Sequence, residues 1–205
     1  MRIRQHVNPN VTFFQTFHGE RPALDSTRPL EVEIGCADAQ FLFERAALDP
    51  TQQYVGLEIR EDLAAWVNKK ARRLGAPVTA VFCHAQKHLH EIFAPRTIDR
   101  VFINFPDPWF KRRQADRRMV DDELVRNLAP LLRDGADVLF QSDVWEVALE
   151  AMESFERHDD QFVNLAGEWT FWRDGNPFGV RSWREQNAEE TGLPIWRIRY
   201  RRAGS

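Results

Sequence analysis

Residues 101–119 read VFINFPDPWFKRRQADRRM, an apolar segment that stops at a Pro-Asp-Pro-Trp sequence and continues into a run of basic residues. The segment from Val101 to Phe105 has the apolar character of a buried strand. Prolines at positions 106 and 108 fix φ and lack an amide donor, so we expect the strand to end there in an exposed loop. A carboxylate, Asp107, and a flat ring, Trp109, would then follow the carboxyl end of a strand.

A local excess of positive charge follows this loop, at Lys111, Arg112, Arg113, Arg117 and Arg118. Cations neutralise phosphates, and an exposed tryptophan stacks on an unpaired base. The whole chain carries a net charge of −3, which argues against a general polyanion binder. We therefore predict a local nucleic-acid site here, with a solvated helix face as the alternative.

The composition of the 205-residue chain, 43% hydrophobic, fits one α/β domain with a full core. No apolar segment approaches the roughly 18 residues of a membrane span, and the N-terminal sequence lacks the apolar region of a signal peptide. Cys36 and Cys83 fit no disulfide or metal spacing and are predicted to be reduced thiols. His88 and His90, two residues apart, would point away from each other on a helix. We predict a cytoplasmic protein with no membrane association and no metal site.

Apolar segments alternate with amphipathic ones after residue 28, whereas residues 1–28 show no clear periodicity. We predict an extended arm over residues 1–28 and a single domain over residues 29–205. The predicted strands are Leu30–Ile34, Tyr54–Leu57, Val78–Phe82, Ile98–Phe105 and Ala136–Gln141, and Arg197–Arg202 alternates as an outer strand would. The predicted helices are Ala39–Leu48, Glu61–Leu74, Gln86–Phe93, Asp121–Leu132 and Trp145–Arg157. This alternation predicts an α/β fold with a doubly wound, mostly parallel sheet and helices on both faces.

Each of the first four predicted strands is followed by residues suited to ligand binding. Ligands of such sheets bind beyond the carboxyl ends of the strands. Glu33-Ile34-Gly35 ends the first strand, Gly56-Leu57-Glu58 the second, Cys83-His84-Ala85-Gln86 the third, and the Pro-Asp-Pro-Trp loop the fourth. Glu58 is suited to a ribose, because one carboxylate accepts hydrogen bonds from both hydroxyls.

With these motifs, the chain resembles the bacterial tRNA (guanine-N7)-methyltransferases from about Leu30 to Arg202. That family has the seven-stranded, Rossmann-like class I fold and uses S-adenosylmethionine. The resemblance implies methyl transfer to guanine N7 of tRNA, at position 46 in the variable loop. The sequence leaves open whether the protein is a monomer or a homodimer. It implies that the cofactor side comprises Glu33, Gly35, Glu58 and Asp107, with Asp107 also catalytic. The residues implied to contact tRNA are Lys111, Asp143, Ser182 and Glu185.

Two positions depart from the family pattern. Cys36-Ala37-Asp38-Ala39 replaces a glycine-rich turn, and alanine costs roughly 1 kcal/mol where a left-handed conformation is required. Asp38 tolerates such a conformation. Ala85 replaces an acidic residue expected to hold the adenine amino group, a role left to Gln86 or a backbone carbonyl. The alternative is therefore a noncatalytic tRNA-binding protein on the same fold. A nicotinamide-dependent oxidoreductase is excluded, since no G-x-G-x-x-G follows the first strand.

The implied reaction needs few chemical groups. Guanine N7 has a lone pair and no proton, so no general base is required, and alignment of the reactants supplies most of the catalysis. A carboxylate such as Asp107 compensates the positive charge as it moves from sulfur to base. Because N7 lies in the deep groove of A-form RNA, the base must be unstacked or in an open region. Trp109 is a candidate for stacking on the guanine, with loop packing as the alternative.

Overall fold

Seven strands form one sheet in the computed structural model, which describes residue 8, residues 12–109 and residues 118–204. The strands are β1 (Leu30–Ile34), β2 (Gln53–Glu58), β3 (Val78–Phe82), β4 (Ile98–Asn104), β5 (Leu132–Ser142), β6 (Phe162–Asn164) and β7 (Trp196–Arg202). Their order is β3-β2-β1-β4-β5-β7-β6, in which β1 to β5 are parallel and β7 is antiparallel to both neighbours. The order reverses direction at β1, as in a doubly wound sheet.

Helices cover both faces of this sheet. They are α1 (Gln40–Leu48), α2 (Glu61–Leu74), α3 (Ala85–Ile92), α4 (Asp122–Leu128), α5 (Trp145–Glu156) and α6 (Trp183–Glu190). Alternate residues of β4 enter different cores: Phe102 packs with α1 and α2, whereas Val101 and Ile103 pack with α3, α4 and α5. The predicted α/β fold with helices on both faces is confirmed.

The segment between α4 and β5 differs from its prediction as a single helix over Asp121–Leu132. The helix ends at Leu128, a 3₁₀ turn spans Ala129–Leu131, and β5 begins at Leu132 rather than Ala136. Pro130 explains the change, because its ring has no amide hydrogen to continue the helix. Gly135, with φ of +79°, lies within the exposed first part of β5.

The prediction that Arg197–Arg202 is an outer strand is wrong. Strand β7 lies between β5 and β6, and its apolar residues Ile198 and Tyr200 are buried. Its arginines form ion pairs: Arg199 and Arg201 both pair with Asp137 of β5 at 3.2 Å, and of the two only Arg201 is exposed. The outer strand at this end of the sheet is the three-residue β6, which is too short to give an alternating pattern.

The described part of the N-terminal segment lies against the sheet and its helices. A 3₁₀ turn over Thr12–Gln15 buries Phe14, and Phe17 packs on the larger core. The division into an arm over residues 1–28 and a domain over residues 29–205 stays a prediction. Among the described residues, no helix combines the length and the apolar composition needed to cross a membrane.

Candidate functional site

A cavity of about 500 Å³ lies at the carboxyl ends of the first four strands. We call it the strand-end cavity. Because parallel strands end at the same edge of a sheet, residues distant in sequence meet there. Five of the predicted site residues line it: Glu33, Gly35, Glu58, Asp107 and Ser182. Asp143 does not line the cavity itself but forms an ion pair with Arg184, which does. Lys111 lies outside the described residues, as do Arg112, Arg113 and Arg117 of the predicted basic patch.

The loop after β1 makes a tight turn although it lacks a glycine-rich sequence. Gly35, Ala37 and Ala39 have φ of +77°, +50° and +53°, so the left-handed residues include two alanines. Asp38, which would tolerate this conformation, does not adopt it. The loop is held because the amides of Gly35 and Cys36 both donate to the Leu57 carbonyl, at 2.9 and 3.1 Å.

Gly56 allows this loop to sit directly on β2. A Cβ atom on Gly56 would lie 2.3 Å from the sulfur of Cys36, which is far closer than any van der Waals contact. The missing side chain therefore makes room for the Cys36 side chain, and burial raises the pKa of that thiol well above its ordinary value. Cys36 thus serves packing rather than chemistry.

Glu58 is buried at the end of β2 and accepts four hydrogen bonds. Its Oε2 accepts from the Ala37 amide and from Nη2 of Arg60, both at 2.9 Å. Its Oε1 accepts from the amide and Nε of Arg60, at 2.9 and 2.7 Å. These donors occupy the lone pairs of the carboxylate, so ribose hydroxyls would have to replace donors of the partly exposed Arg60 side chain.

Glu33 has an unusual environment for a carboxylate. It is 4% exposed, Oε1 accepts from Nδ2 of Asn104 at 2.8 Å, and the buried Oε2 has no hydrogen-bond partner within the described chain. Burial raises the pKa of Glu33 to about 8, and the nearby charges of Asp38 and Glu58 act in the same direction. The Asn104 hydrogen bond opposes this increase without cancelling it. An unpartnered carboxylate oxygen in a cavity wall fits a cationic or hydrogen-bond-donating ligand group.

A chain of buried hydrogen bonds connects Glu33 to Glu185. Asn104 bonds Glu33, Nε2 of Gln141 donates to Oδ1 of Asn104 at 2.8 Å, and the same nitrogen lies 2.9 Å from Oε2 of Glu185. Arg197 closes it by donating to Oε1 of Gln141 at 2.9 Å and to Oε1 of Glu185 at 2.8 Å. We call these five residues the polar network.

Glu185 therefore does not lie at the surface, where it could contact tRNA directly. It is fully buried, and it forms a capping box with Ser182, the N-cap of α6. Asn176 donates a further hydrogen bond to its Oε2 at 3.0 Å. Its carboxylate fixes the start of α6 and so positions the residues that follow Ser182.

Sequence reasoning missed Asn104, Gln141, Asn176 and Arg197. A signal existed for two of them, because Asn104 and Gln141 are amides that end the otherwise apolar segments VFIN and VLFQ. A buried polar residue at the end of a central strand requires a partner. The sequence does not identify that partner, since it comes from a different strand.

The Pro-Asp-Pro-Trp loop is anchored at both of its described ends. The amide of Phe105 donates to the Gln141 carbonyl at 2.8 Å, and Nε of Arg118 donates to the Pro108 carbonyl at 3.1 Å. Asp107 is exposed and lies near Arg60, whose pKa is raised mainly by its hydrogen bond to Glu58 and further by the Asp107 charge. The Arg118 side chain is only 14% exposed and also forms an ion pair with Glu150, so Arg118 helps to hold the loop in place.

The wall contributed by the third strand end carries no acidic side chain. Gln86 is buried, and its Nε2 donates to Oδ2 of Asp121 at 2.9 Å and to the Arg118 carbonyl at 3.2 Å. These bonds orient the side chain. His84, also in the wall, is held neutral because burial lowers its pKa to about 4. The described residues contain no group of three or more His, Cys, Asp or Glu side chains placed to hold a metal ion.

Comparison with known proteins agrees with this geometry. Residues 27–198 match the family model described as "Putative methyltransferase". A tRNA (guanine-N(7)-)-methyltransferase of Synechococcus sp. (strain JA-3-3Ab) is 39% identical over 201 residues, which cover 96% of this chain and 84% of the relative. The enzyme of the same name from Thermosynechococcus vestitus is 38% identical over 210 residues, covering 98% and 95% of the two chains.

The fold is also shared with more distant proteins of known structure. The precorrin-6y C5,15-methyltransferase of Geobacter metallireducens superposes with a TM-score of 0.54 at 17% identity, over 84% of this chain and 78% of its own. This similarity concerns the fold alone, whereas the sequence similarity above extends over nearly the whole chain. The chain belongs to the tRNA (guanine-N7)-methyltransferase family.

Proposed function

We propose that this protein transfers a methyl group from S-adenosylmethionine to N7 of a guanine in tRNA. The observation that carries the proposal is the strand-end cavity, in which Glu33, Gly35, Glu58 and Asp107 meet from three separate strands. The strand ends of this chain carry the residues that the resemblance implies, although Cys36-Ala37-Asp38-Ala39 stands where the family pattern has a glycine-rich turn. The target is guanine 46 of the variable loop, and the protein acts in the cytoplasm as a monomer or homodimer.

The residues present fit the cofactor. The unpartnered Oε2 of Glu33 suits a cationic group, whose charge would favour the ionised carboxylate over the protonated form that burial favours. The left-handed residues between Gly35 and Ala39 let the backbone approach a ligand closely. Glu58 would hold the ribose once the ribose hydroxyls replace the Arg60 side chain as hydrogen-bond donors to its carboxylate. When bound, S-adenosylmethionine supplies an electrophilic methyl group carried on a sulfonium. Ala37 and Ala39 adopt the positive φ that a glycine-rich turn would supply, which supports the enzyme over a noncatalytic tRNA-binding protein.

The remaining residues orient the base and balance charge. N7 presents a lone pair without a proton, so no side chain has to remove one before attack. Asp107, exposed at the cavity, offsets the positive charge that develops on the purine. Ser182 and Asp143 face the tRNA side, Lys111 provides a cation to the phosphates, and Glu185 acts by positioning α6.

The proposal is tested by methyl transfer to a tRNA transcript with radiolabelled S-adenosylmethionine. We expect incorporation into a transcript with guanine 46 and none into the same transcript with adenine there. Asp107→Asn, which removes one charge at similar volume, should reduce the single-turnover rate by about 10²-fold or more. Asp134→Asn is the matched control, because Asp134 is an exposed carboxylate that pairs with Arg96 outside the cavity.

Three results would contradict parts of this proposal. A wild-type protein that binds tRNA without methylating it would support the noncatalytic alternative. Equal labelling of the guanine and adenine transcripts would place the target elsewhere. An Asp107→Asn variant as fast as Asp134→Asn would remove Asp107 from the catalytic role.

A further inference from the structure

Trp183 is the most exposed large hydrophobic side chain in the described part of the chain, at 70% exposure. An indole left in water forgoes a large hydrophobic gain. Trp196 of the same region is packed by contrast, since its ring centroid lies 4.5 Å from that of Trp145 and 5.3 Å from that of Phe171. Trp183 instead lines the strand-end cavity.

The backbone that carries this ring is rigidly held. Trp183 is the first residue of α6, between Ser182 and Glu185 of the capping box. Glu185 is fixed in turn by Arg197 and Gln141 of the polar network. An exposed aromatic on a fixed backbone loses little conformational entropy when it binds a flat partner, which is the property of a stacking platform.

The sheet order places Trp183 on the side of the cavity away from the cofactor residues. Along the carboxyl edge, β2 and β1 carry Glu58 and Gly35, β4 follows with Asp107, and β5 comes next. The start of α6 is joined to the end of β5, because Arg184 pairs with Asp143. The start of α6, which carries Trp183, therefore lies at the β5 end of the cavity, past β4 as seen from the cofactor residues of β1 and β2, and this is where we expect the methyl acceptor.

We propose that Trp183 stacks on the target guanine of tRNA and holds it in the strand-end cavity. The inference rests on the function proposed above. Guanine N7 becomes accessible when the base is unstacked or lies in an open region, and an enzyme that extrudes a base replaces the lost stacking with an aromatic side chain. Trp109 lines the same cavity but is half-buried, so the two rings differ in the surface they offer to a ligand.

The test compares substitutions at Trp183 in the full-length protein. Trp183→Ala should weaken tRNA affinity and lower kcat/KM for tRNA by about 10-fold or more, the range found when base-stacking aromatics are removed. The rate at saturating tRNA should change less, and the affinity for S-adenosylmethionine, measured by titration calorimetry, should not change. Trp183→Phe should retain most of the affinity, whereas Trp183→Leu should behave like the alanine variant. Trp169→Ala is the control, since Trp169 is 58% exposed and lies outside the cavity.

A tRNA that lacks the base at the target position shows which nucleotide the ring contacts. Wild type and Trp183→Ala should bind this abasic tRNA equally, because the stacking partner is gone. A difference that persists on the abasic tRNA would overturn the assignment, and so would a leucine variant as good as phenylalanine or an alanine variant that matches wild type on intact tRNA. Failure of the wild-type protein to methylate any tRNA would instead reject the proposed function.

Discussion

Glu33 illustrates how one buried side chain makes the site sensitive to pH. Its pKa in the folded protein is about 8, because burial disfavours the charged form, and its ordinary value is 4.5. At pH values between 4.5 and about 8, the Glu33 carboxyl is protonated in the folded protein and ionised in the unfolded chain. The stability contributed by this proton is fully present below about pH 4.5 and is lost as pH rises through about 8.

We therefore predict that Glu33→Gln removes part of the pH dependence of stability. Glutamine keeps an acceptor for Asn104 and does not ionise. The free energy of unfolding of wild type relative to the variant should fall by roughly 1 kcal/mol per pH unit between about pH 5.5 and 7.5. Chemical denaturation across this range measures it. Glu61→Gln, at an exposed carboxylate at the start of α2, should follow the wild-type profile. A Glu33→Gln profile parallel to wild type would mean that Glu33 is already ionised.

The loop after β1 shows which properties of single residues can be predicted from the sequence and which cannot. The sequence identifies the loop that must turn tightly after Gly35. It does not reveal which residues take positive φ, because that depends on hydrogen bonds to Leu57 and Glu58 of a different strand. Two alanines adopt the conformation in place of Asp38, since tertiary contacts outweigh a local preference of about 1 kcal/mol.

At the scale of elements, the polar network connects β1, β4, β5, β7 and α6. Gln141 is its central residue and bonds Asn104, Glu185 and Arg197 at 2.8 to 2.9 Å. Each of these partners is polar, and none is exposed, so loss of the central amide leaves several groups without hydrogen bonds. The network also fixes Glu33 on one side of the cavity and the start of α6 on the other.

We predict that Gln141→Leu destabilises the fold by about 2–4 kcal/mol, because buried polar groups that lose a partner cost roughly 1–3 kcal/mol each. Urea unfolding provides the measurement. The control is Gln186→Leu on α6, whose amide bonds the Arg181 carbonyl at the surface, and it should change stability by less than about 0.5 kcal/mol. If the two variants are equally stable, the network does not contribute to the stability of α6 and its neighbours.

Elements with a strong local pattern were predicted closely. Strands β1 and β3 and helix α2 have the predicted bounds, since apolar periodicity and flanking turn residues define them locally. Strand β6 and the extra residues of β5 were not predicted. Their pairing depends on β7 and on a register shift between Ile98 and Arg100, which are interactions between distant segments.

At the scale of the whole molecule, the sheet order separates two groups of candidate site residues. Residues suited to the cofactor follow β1 and β2, and those assigned to tRNA follow β5 and begin α6. The sequence alone indicates the parallel sheet and the strand ends where the site lies. It does not indicate that β7 enters beside β5 or that Arg197 from this strand secures Glu185, because antiparallel insertion leaves no local signal.

Binding of S-adenosylmethionine should raise the thermal stability of the molecule without tRNA. A ligand at about 100 times its dissociation constant stabilises the folded state by about 2.7 kcal/mol. For a chain of this length, that corresponds to an increase in Tm of roughly 5–10 °C. Differential scanning fluorimetry at increasing ligand concentration measures the shift and gives an apparent dissociation constant.

The same measurement tests the ribose assignment of Glu58. Glu58→Gln removes charge-assisted acceptors, so we expect a dissociation constant about 10-fold or more higher and a correspondingly smaller increase in Tm at equal ligand concentration. Glu61→Gln, three residues further along the chain and exposed, should match wild type. Equal shifts for wild type and Glu58→Gln would place the ribose away from β2. No shift in wild type would reject the cofactor itself, and because tRNA is not present, this result does not depend on recognition of the methyl acceptor.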